Sequence, residues 1–339
     1  MAEPVEILIT LDFTKDLVDQ IREVSEDIVI TQHATRQPEE IPAETWEKTE
    51  ILFTSRAIPD ADLTPNLRWV QFNFAGIDKW LDNPLFENSD IRVTSISGAN
   101  ASQVAEHILE MMLALGHRLP NLVRHQIQNE WPTDRDKRFT PLELRDATVG
   151  IVGYGSIGRQ AAKLLNAFGM TILASKVDLK TLEDSGYFPE GFGDKQAELP
   201  ARIYPAEALR SMFKECDFVV VSVPLTDKTR GMIGKEQLRA LKPHAFLIDA
   251  SRGGVVDQDA LIESLKAGEI AGAALDVFPE EPLAADSPLW EMENVIITPH
   301  IAGISSMYNQ RVVTFFIENL KLYLDEQPLL NKIDFQKGY

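Results

Sequence analysis

Residues 148–170 read TVGIVGYGSIGRQAAKLLNAFGM. Residues 148–153 are a short apolar run with the β-branched content of a buried strand. G-Y-G-S-I-G follows, and after it a segment with helical periodicity. The glycine spacing has a physical logic. Gly153 permits a tight turn, Gly155 lets the main chain approach a pyrophosphate, and Gly158 lets the helix pack close on the strand. The helix N-terminus then turns free N–H groups and the positive end of its dipole towards the phosphates. With a strand before it and a helix after it, G-x-G-x-x-G reads as a dinucleotide fingerprint.

Working outward, short β-type runs alternate with helical or turn-forming stretches, which predicts an α/β protein with parallel sheets. Downstream, strands are expected at 148–153, 171–175, 218–223, 245–249, 272–276 and 295–298, six in the rhythm of a doubly wound sheet. Upstream, they are expected at 5–10, 27–31, 51–54 and 69–73. Between the two blocks, residues 101–119 are apolar nearly all round, the signature of a buried helix, here one that joins two domains. Residues 177–203 are polar and loop-like, with Gly186, Gly191, Gly193, Pro189 and Pro200. A loop of that length is either functional or mobile.

In this fold an acidic residue at the end of the second strand binds the ribose 2′-hydroxyl. Here Lys176 stands at that end, with Asp178 two residues later. A lysine there favours a 2′-phosphate, so NADP(H) is preferred over NAD(H). The alternative is an ordinary exposed lysine, with Asp178 on the 2′-hydroxyl.

The chain has 339 residues, enough for two cores. Its formal net charge of −19 argues against non-specific nucleic-acid binding, because a phosphate backbone repels such a surface. Cys216 is the single cysteine, so no intrachain disulfide forms; it reads as a small residue leading into an apolar strand. No signal peptide and no apolar run long enough to span a bilayer are recognisable, and a cytoplasmic location is expected.

Three polar residues follow apolar strands downstream of the glycine loop: Arg252 after FLIDAS, Glu281 after AALDVFPE and His300 after VIITP. In open α/β sheets ligands bind outside the carboxyl ends of the strands, so the three form a candidate site. Singly, each also reads as an ordinary surface residue.

The ordered motifs VAEH (104–107), GYGSIG (153–158), VPLT (223–226), DASRGG (249–254), LDVFPEEP (275–282) and TPHIAG (298–303) resemble the D-specific 2-hydroxyacid dehydrogenase family over nearly the whole chain. The resemblance implies two Rossmann-like or flavodoxin-like parallel-sheet domains, with the nucleotide-binding domain inserted into the substrate domain. The expected boundaries are 1–102 for the substrate domain, 103–302 for the nucleotide domain and 303–339 for the C-terminal return. It implies that Arg252 holds the substrate carboxylate and keto oxygen, that His300 is the general acid and base, and that Glu281 orients and charges the imidazole. Ala75 and Gly76, in NFAGID, match the substrate loop. Val104, Tyr154, Ser156, Ile157, Val223, Pro224, Thr229, Ala250, Ser251, Asp276, Ala302 and Gly303 join the three glycines, Lys176, Arg252 and His300 as cofactor-site residues. A homodimer acting on a small 2-keto or 2-hydroxy acid is implied.

Some positions depart from the family. Ser222 replaces a histidine or asparagine, and residues 177–203 are longer than usual. Glutamine at 281 or lysine at 75 would mark formate or phosphite dehydrogenases, and neither is present. The chain ends at Tyr339, so the added regulatory domain of many phosphoglycerate dehydrogenases is not expected. Phe74, Trp131, Met307 and Tyr308 read first as core residues and second as an apolar wall for a substrate side chain. A rival reading is a dinucleotide-sensing scaffold like the C-terminal-binding-protein corepressors, which retain Arg252, Glu281 and His300 equivalents.

Overall fold

A computed structural model of the chain describes residues 4–88 and 90–338. They form two compact units, 4–88 and 90–100 with 305–338, and 101–304. No helix among the described residues is long and apolar enough to cross a membrane.

The first unit is built on a five-stranded parallel sheet of β1 (Val5–Ile9), β2 (Ile28–Gln32), β3 (Ile51–Thr54), β4 (Trp69–Phe72) and β5 (Arg92–Thr94), in the order β2-β1-β3-β4-β5. ILFT in β3 and WVQF in β4 are buried at every position, as expected for inner strands covered on both faces. The C-terminal helix Tyr308–Leu324 belongs to this unit because its aromatic face completes the core. Phe316 stacks on Phe53 at 4.3 Å and on Trp69 at 5.1 Å between ring centroids.

The second unit holds a seven-stranded parallel sheet of β6 (Thr148–Val152), β7 (Thr171–Lys176), β8 (Arg202–Pro205), β9 (Phe218–Val221), β10 (Phe246–Asp249), β11 (Gly272–Leu275) and β12 (Val295–Ile297). The order is β12-β11-β10-β9-β6-β7-β8. From β6 the chain first builds outward through β7 to β8, then returns to lay β9 on the other side. The carboxyl end of β6 is therefore the topological switch point, where such sheets bind ligands. The helix Ala101–Gly116 lies in the core beneath this sheet, with Met111, Met112 and Leu115 in one apolar cluster with Val149, Ile151 and Phe218.

Three features differ from the sequence reading. The expected helix over 101–119 stops at Gly116, and a second helix, Leu119–Gln128, starts after Arg118 takes a left-handed conformation (φ 58°). Pro120, which tolerates only the first turn of a helix, forces that restart. β5 is too short to show a period. β8 makes the downstream sheet seven-stranded rather than six-stranded; it lies at the end of the polar segment and pairs only with β7. Its edge position is what allows it to end on Pro205.

Candidate active site

The glycine loop leaves β6 at the switch point. Gly153 has φ 95°, a left-handed conformation that favours glycine, and a Cβ there would lie 2.6 Å from Val223 Cγ1. A Cβ on Gly158 would lie 2.3 Å from the Gly153 carbonyl oxygen, so this glycine sets the close packing of helix Ser156–Ala167 on the loop. Gly155 is different. It is exposed, and a Cβ on it would meet nothing within 4 Å. That open space beside a helix N-terminus is a cradle with room for a pyrophosphate, and the residues present fit a dinucleotide on that ground. Ser156 and Ile157, both half-buried, form the first turn. Tyr154 is withdrawn: its side chain is buried and its hydroxyl donates to Asp194 Oδ2 at 2.6 Å, leaving only its main chain near the cradle. Ser222, noted in the sequence as a departure from the family, donates its hydroxyl to the Gly153 carbonyl at 3.0 Å and so supports the turn from behind.

At the end of β7, Lys176 is half-buried. Burial, followed by the Arg159 charge, lowers its pKa from the ordinary lysine value. Asp178 is exposed, and its Oδ1 accepts the Lys180 N–H at 2.8 Å, so its carboxylate is engaged in a local turn.

The other candidates stand on the same carboxyl edge of the sheet, after β10, β11 and β12. His300 Nδ1 lies 2.8 Å from Glu281 Oε2, and Glu281 Oε1 accepts the Phe278 N–H at 3.1 Å. Burial alone would raise the Glu281 carboxyl. The hydrogen bonds from His300 and Phe278, with the His300 and Arg252 charges, outweigh it and hold the group below its ordinary range. His300 adopts φ 53°, and its N–H donates to the Asp276 carbonyl at 2.9 Å.

Asp276 is buried, and its carboxylate gathers the loop that carries His300. It accepts from the Thr298 hydroxyl at 2.6 Å, the Ile301 N–H at 2.9 Å and the Ala302 N–H at 3.0 Å. His107 of VAEH lies behind, with Nε2 3.3 Å from the Thr298 hydroxyl. Asp276 and His107 thus brace the His300 turn, a role invisible in sequence because the three motifs are far apart in the chain. Gly303 closes this turn, with open space where a Cβ would stand.

Arg252 donates to the Ser251 carbonyl at 2.8 Å. A Cβ on the next residue, Gly253, would fall 1.8 Å from the Phe278 carbonyl oxygen, so the loop carrying Arg252 is pressed against the loop carrying Glu281. Ser251 N–H and hydroxyl both donate to the buried Asp249. Burial pushes the Asp249 carboxyl up to about 7, with the Asp276 charge adding to it against the Ser251 bonds. Ala250 is buried between them. Val223 and Pro224 follow β9, and the Thr229 hydroxyl is used inside their turn, donating to the Pro224 carbonyl at 2.7 Å. Val104 is buried in the core cluster with Tyr154.

In the first unit, Ala75 and Gly76 follow β4 in a bend, Ala75 exposed and Gly76 half-buried. The Tyr308 hydroxyl donates to the Asn73 carbonyl and ties this bend to the C-terminal helix. Phe74 packs against the core. Trp131 and Met307 correct the core reading of the sequence: they are 82% and 51% exposed.

A family model described as D-isomer specific 2-hydroxyacid dehydrogenase, NAD binding domain, matches residues 109–302. The chain is similar to a glyoxylate reductase of Korarchaeum cryptofilum, 35% identical over 76% of this chain and 74% of that protein. It is similar to a D-3-phosphoglycerate dehydrogenase of Archaeoglobus fulgidus, 28% identical over 97% of this chain. The match spans only 59% of that relative's length. Among solved structures, a D-isomer specific 2-hydroxyacid dehydrogenase from Xanthobacter autotrophicus Py2, in complex with NADPH and MES, superposes with a TM-score of 0.79 and 27% identity over the whole of both chains.

Proposed function

The chain belongs to the D-isomer specific 2-hydroxyacid dehydrogenase family, and from that premise we propose that it interconverts a small 2-keto acid and its D-2-hydroxy acid with a nicotinamide dinucleotide, NADP(H) in preference to NAD(H). The observation that carries this reading is the 2.8 Å His300–Glu281 pair on the same sheet edge as the open glycine cradle.

A bound nicotinamide supplies or accepts the hydride. His300 handles the proton. Glu281 accepts from Nδ1–H, which fixes the tautomer and leaves Nε2 to face the substrate oxygen. During reduction protonated His300 donates its Nε2 proton to the keto oxygen, while the Glu281 carboxylate, held below its ordinary range, accepts from Nδ1–H. In oxidation neutral His300 takes the hydroxyl proton back. Arg252 offers a planar fork of donors to the substrate carboxylate, geometry that a lysine does not reproduce. We assign Ala75 and Gly76 to the substrate loop on the family resemblance alone.

The cofactor preference rests on Lys176. It is the side chain at the end of β7, while Asp178 is engaged with Lys180. The Xanthobacter neighbour binds NADPH, in keeping with that choice. A homodimer is assigned by resemblance; the exposed Leu122, Val123, Ile127 and Trp131 are apolar side chains for such a contact to bury. The test is a panel of 2-keto acids, glyoxylate and hydroxypyruvate included, assayed with NADPH and with NADH. Oxidation of NADPH by at least one acid at ordinary enzyme rates is the expected result. Binding of dinucleotide without turnover on any acid would sink the reading.

A further inference from the structure

Residues 177–203 belong neither to the proposed chemistry nor, before β8, to the sheet. They are nevertheless wrapped around one cation. Arg159, on the first turn of helix Ser156–Ala167, has a side chain with no exposure at all. It donates to the Asp194 carbonyl at 2.5 Å, the Lys195 carbonyl at 3.3 Å and the Leu182 carbonyl, and its Nε lies 3.3 Å from the Asp184 carboxylate. A buried cation needs its partners, so the segment and the start of this helix form together. Further along the helix, Gln160 Oε1 accepts the Gly193 N–H at 2.7 Å and Lys163 donates to the Gly191 carbonyl.

The same segment reaches the glycine loop. Asp194 Oδ2 accepts the Tyr154 hydroxyl at 2.6 Å and the Leu199 N–H at 3.0 Å, and Oδ1 accepts the Glu198 N–H at 2.9 Å. The Arg159 guanidinium stands over the Tyr154 ring, 4.8 Å from its centroid. Burial and the Asp194 carboxylate push the Tyr154 phenol well above its ordinary range, so it stays a donor. Tyr154 is the residue between Gly153 and Gly155. Glycine-rich main chain is conformationally free, and a ligand that must order it binds more weakly than one that meets it already ordered.

We propose that the insertion is a brace for the dinucleotide loop, with Arg159 and Asp194 as positioning residues that hold the main chain of residues 153–155 in the shape that receives the pyrophosphate. The inference rests on the reading of that loop as the dinucleotide site. It accounts for the length of the insertion and for the withdrawal of Tyr154 from the cradle.

The test compares wild type, Asp194→Ala and Asp194→Asn by NADPH fluorescence titration, steady-state kinetics and thermal melting. Asp194→Ala is expected to raise Kd and KM for NADPH about tenfold, roughly the weight of one lost charge-assisted hydrogen bond. The kcat at saturating NADPH and the KM for the keto acid should stay within about twofold, because the uniform binding term alone is lost. Asp194→Asn, which keeps an acceptor for Tyr154, should recover most of the affinity. A folded Asp194→Ala protein that melts lower yet binds NADPH like wild type would overturn the proposal. Should that variant fail to fold, Tyr154→Phe removes the same bond without opening a cavity, and an unchanged Kd there overturns it equally. Wild type that binds neither NADPH nor NADH would instead remove the dinucleotide reading beneath it.

Discussion

At the scale of single residues, the candidate chemistry comes down to which atoms can exchange a proton and which can hold a charge. His300→Ala deletes the proposed proton carrier and leaves the glycine loop untouched. The catalytic rate should fall by about 10²–10⁴ with NADPH affinity nearly unchanged. Near-normal turnover would take His300 out of the mechanism. Lys176→Asp reverses the charge at the end of β7. The ratio of kcat/KM for NADPH to that for NADH should drop in this variant, since an acidic residue there repels a 2′-phosphate and accepts from a 2′-hydroxyl. An unaltered ratio would make Lys176 a bystander. Arg252, Glu281 and His300 stood out in the sequence because each follows an apolar strand. Ser222 was noted only as a departure from the family, and His107 and Asp194 were not singled out. Their roles depend on which main-chain atom or hydroxyl they meet, and those partners are remote in sequence.

At the scale of elements, the strand-end loops are held by close contact as much as by hydrogen bonds. Gly253 is the clearest case, since a Cβ there overlaps the Phe278 carbonyl. Gly253→Ala must push two loops apart, at a cost of roughly 1–3 kcal/mol or more. The expected outcome is a melting temperature lowered by several degrees together with a loss of activity, because those two loops carry Arg252 and Glu281. A variant that melts and turns over like wild type would contradict the packing described for this position. The apolar strands were readable as elements from their runs of branched residues. β5 and β8 were not: one is too short for a pattern, and the other owes its pairing to β7 rather than to its own residues.

At the scale of the whole molecule, the chain carries a formal net charge of −19. Self-repulsion of that size opposes compaction and is screened by salt, with a Debye length that shrinks from about 30 Å at 0.01 M to about 3 Å at 1 M. The melting temperature should therefore rise between about 0.02 and 0.5 M sodium chloride, measured by calorimetry in one buffer. A flat or falling curve would show that local ion pairs, such as Lys242 with Asp217 at 2.8 Å, outweigh the global repulsion. The sequence by itself determined the α/β class, most strands and the dinucleotide loop, because these follow from short-range rules: strand period, glycine geometry and helix polarity. Only the tertiary structure decided what residues 177–203 do. Read along the chain they are polar and without period, and their order comes from Arg159, a charge that cannot be buried unless distant carbonyls and a carboxylate come to meet it. The glycine loop shares that dependence. Its turn was legible from Gly153, Gly155 and Gly158, but the support behind it, through Tyr154 and Asp194, exists only once the fold has brought them together.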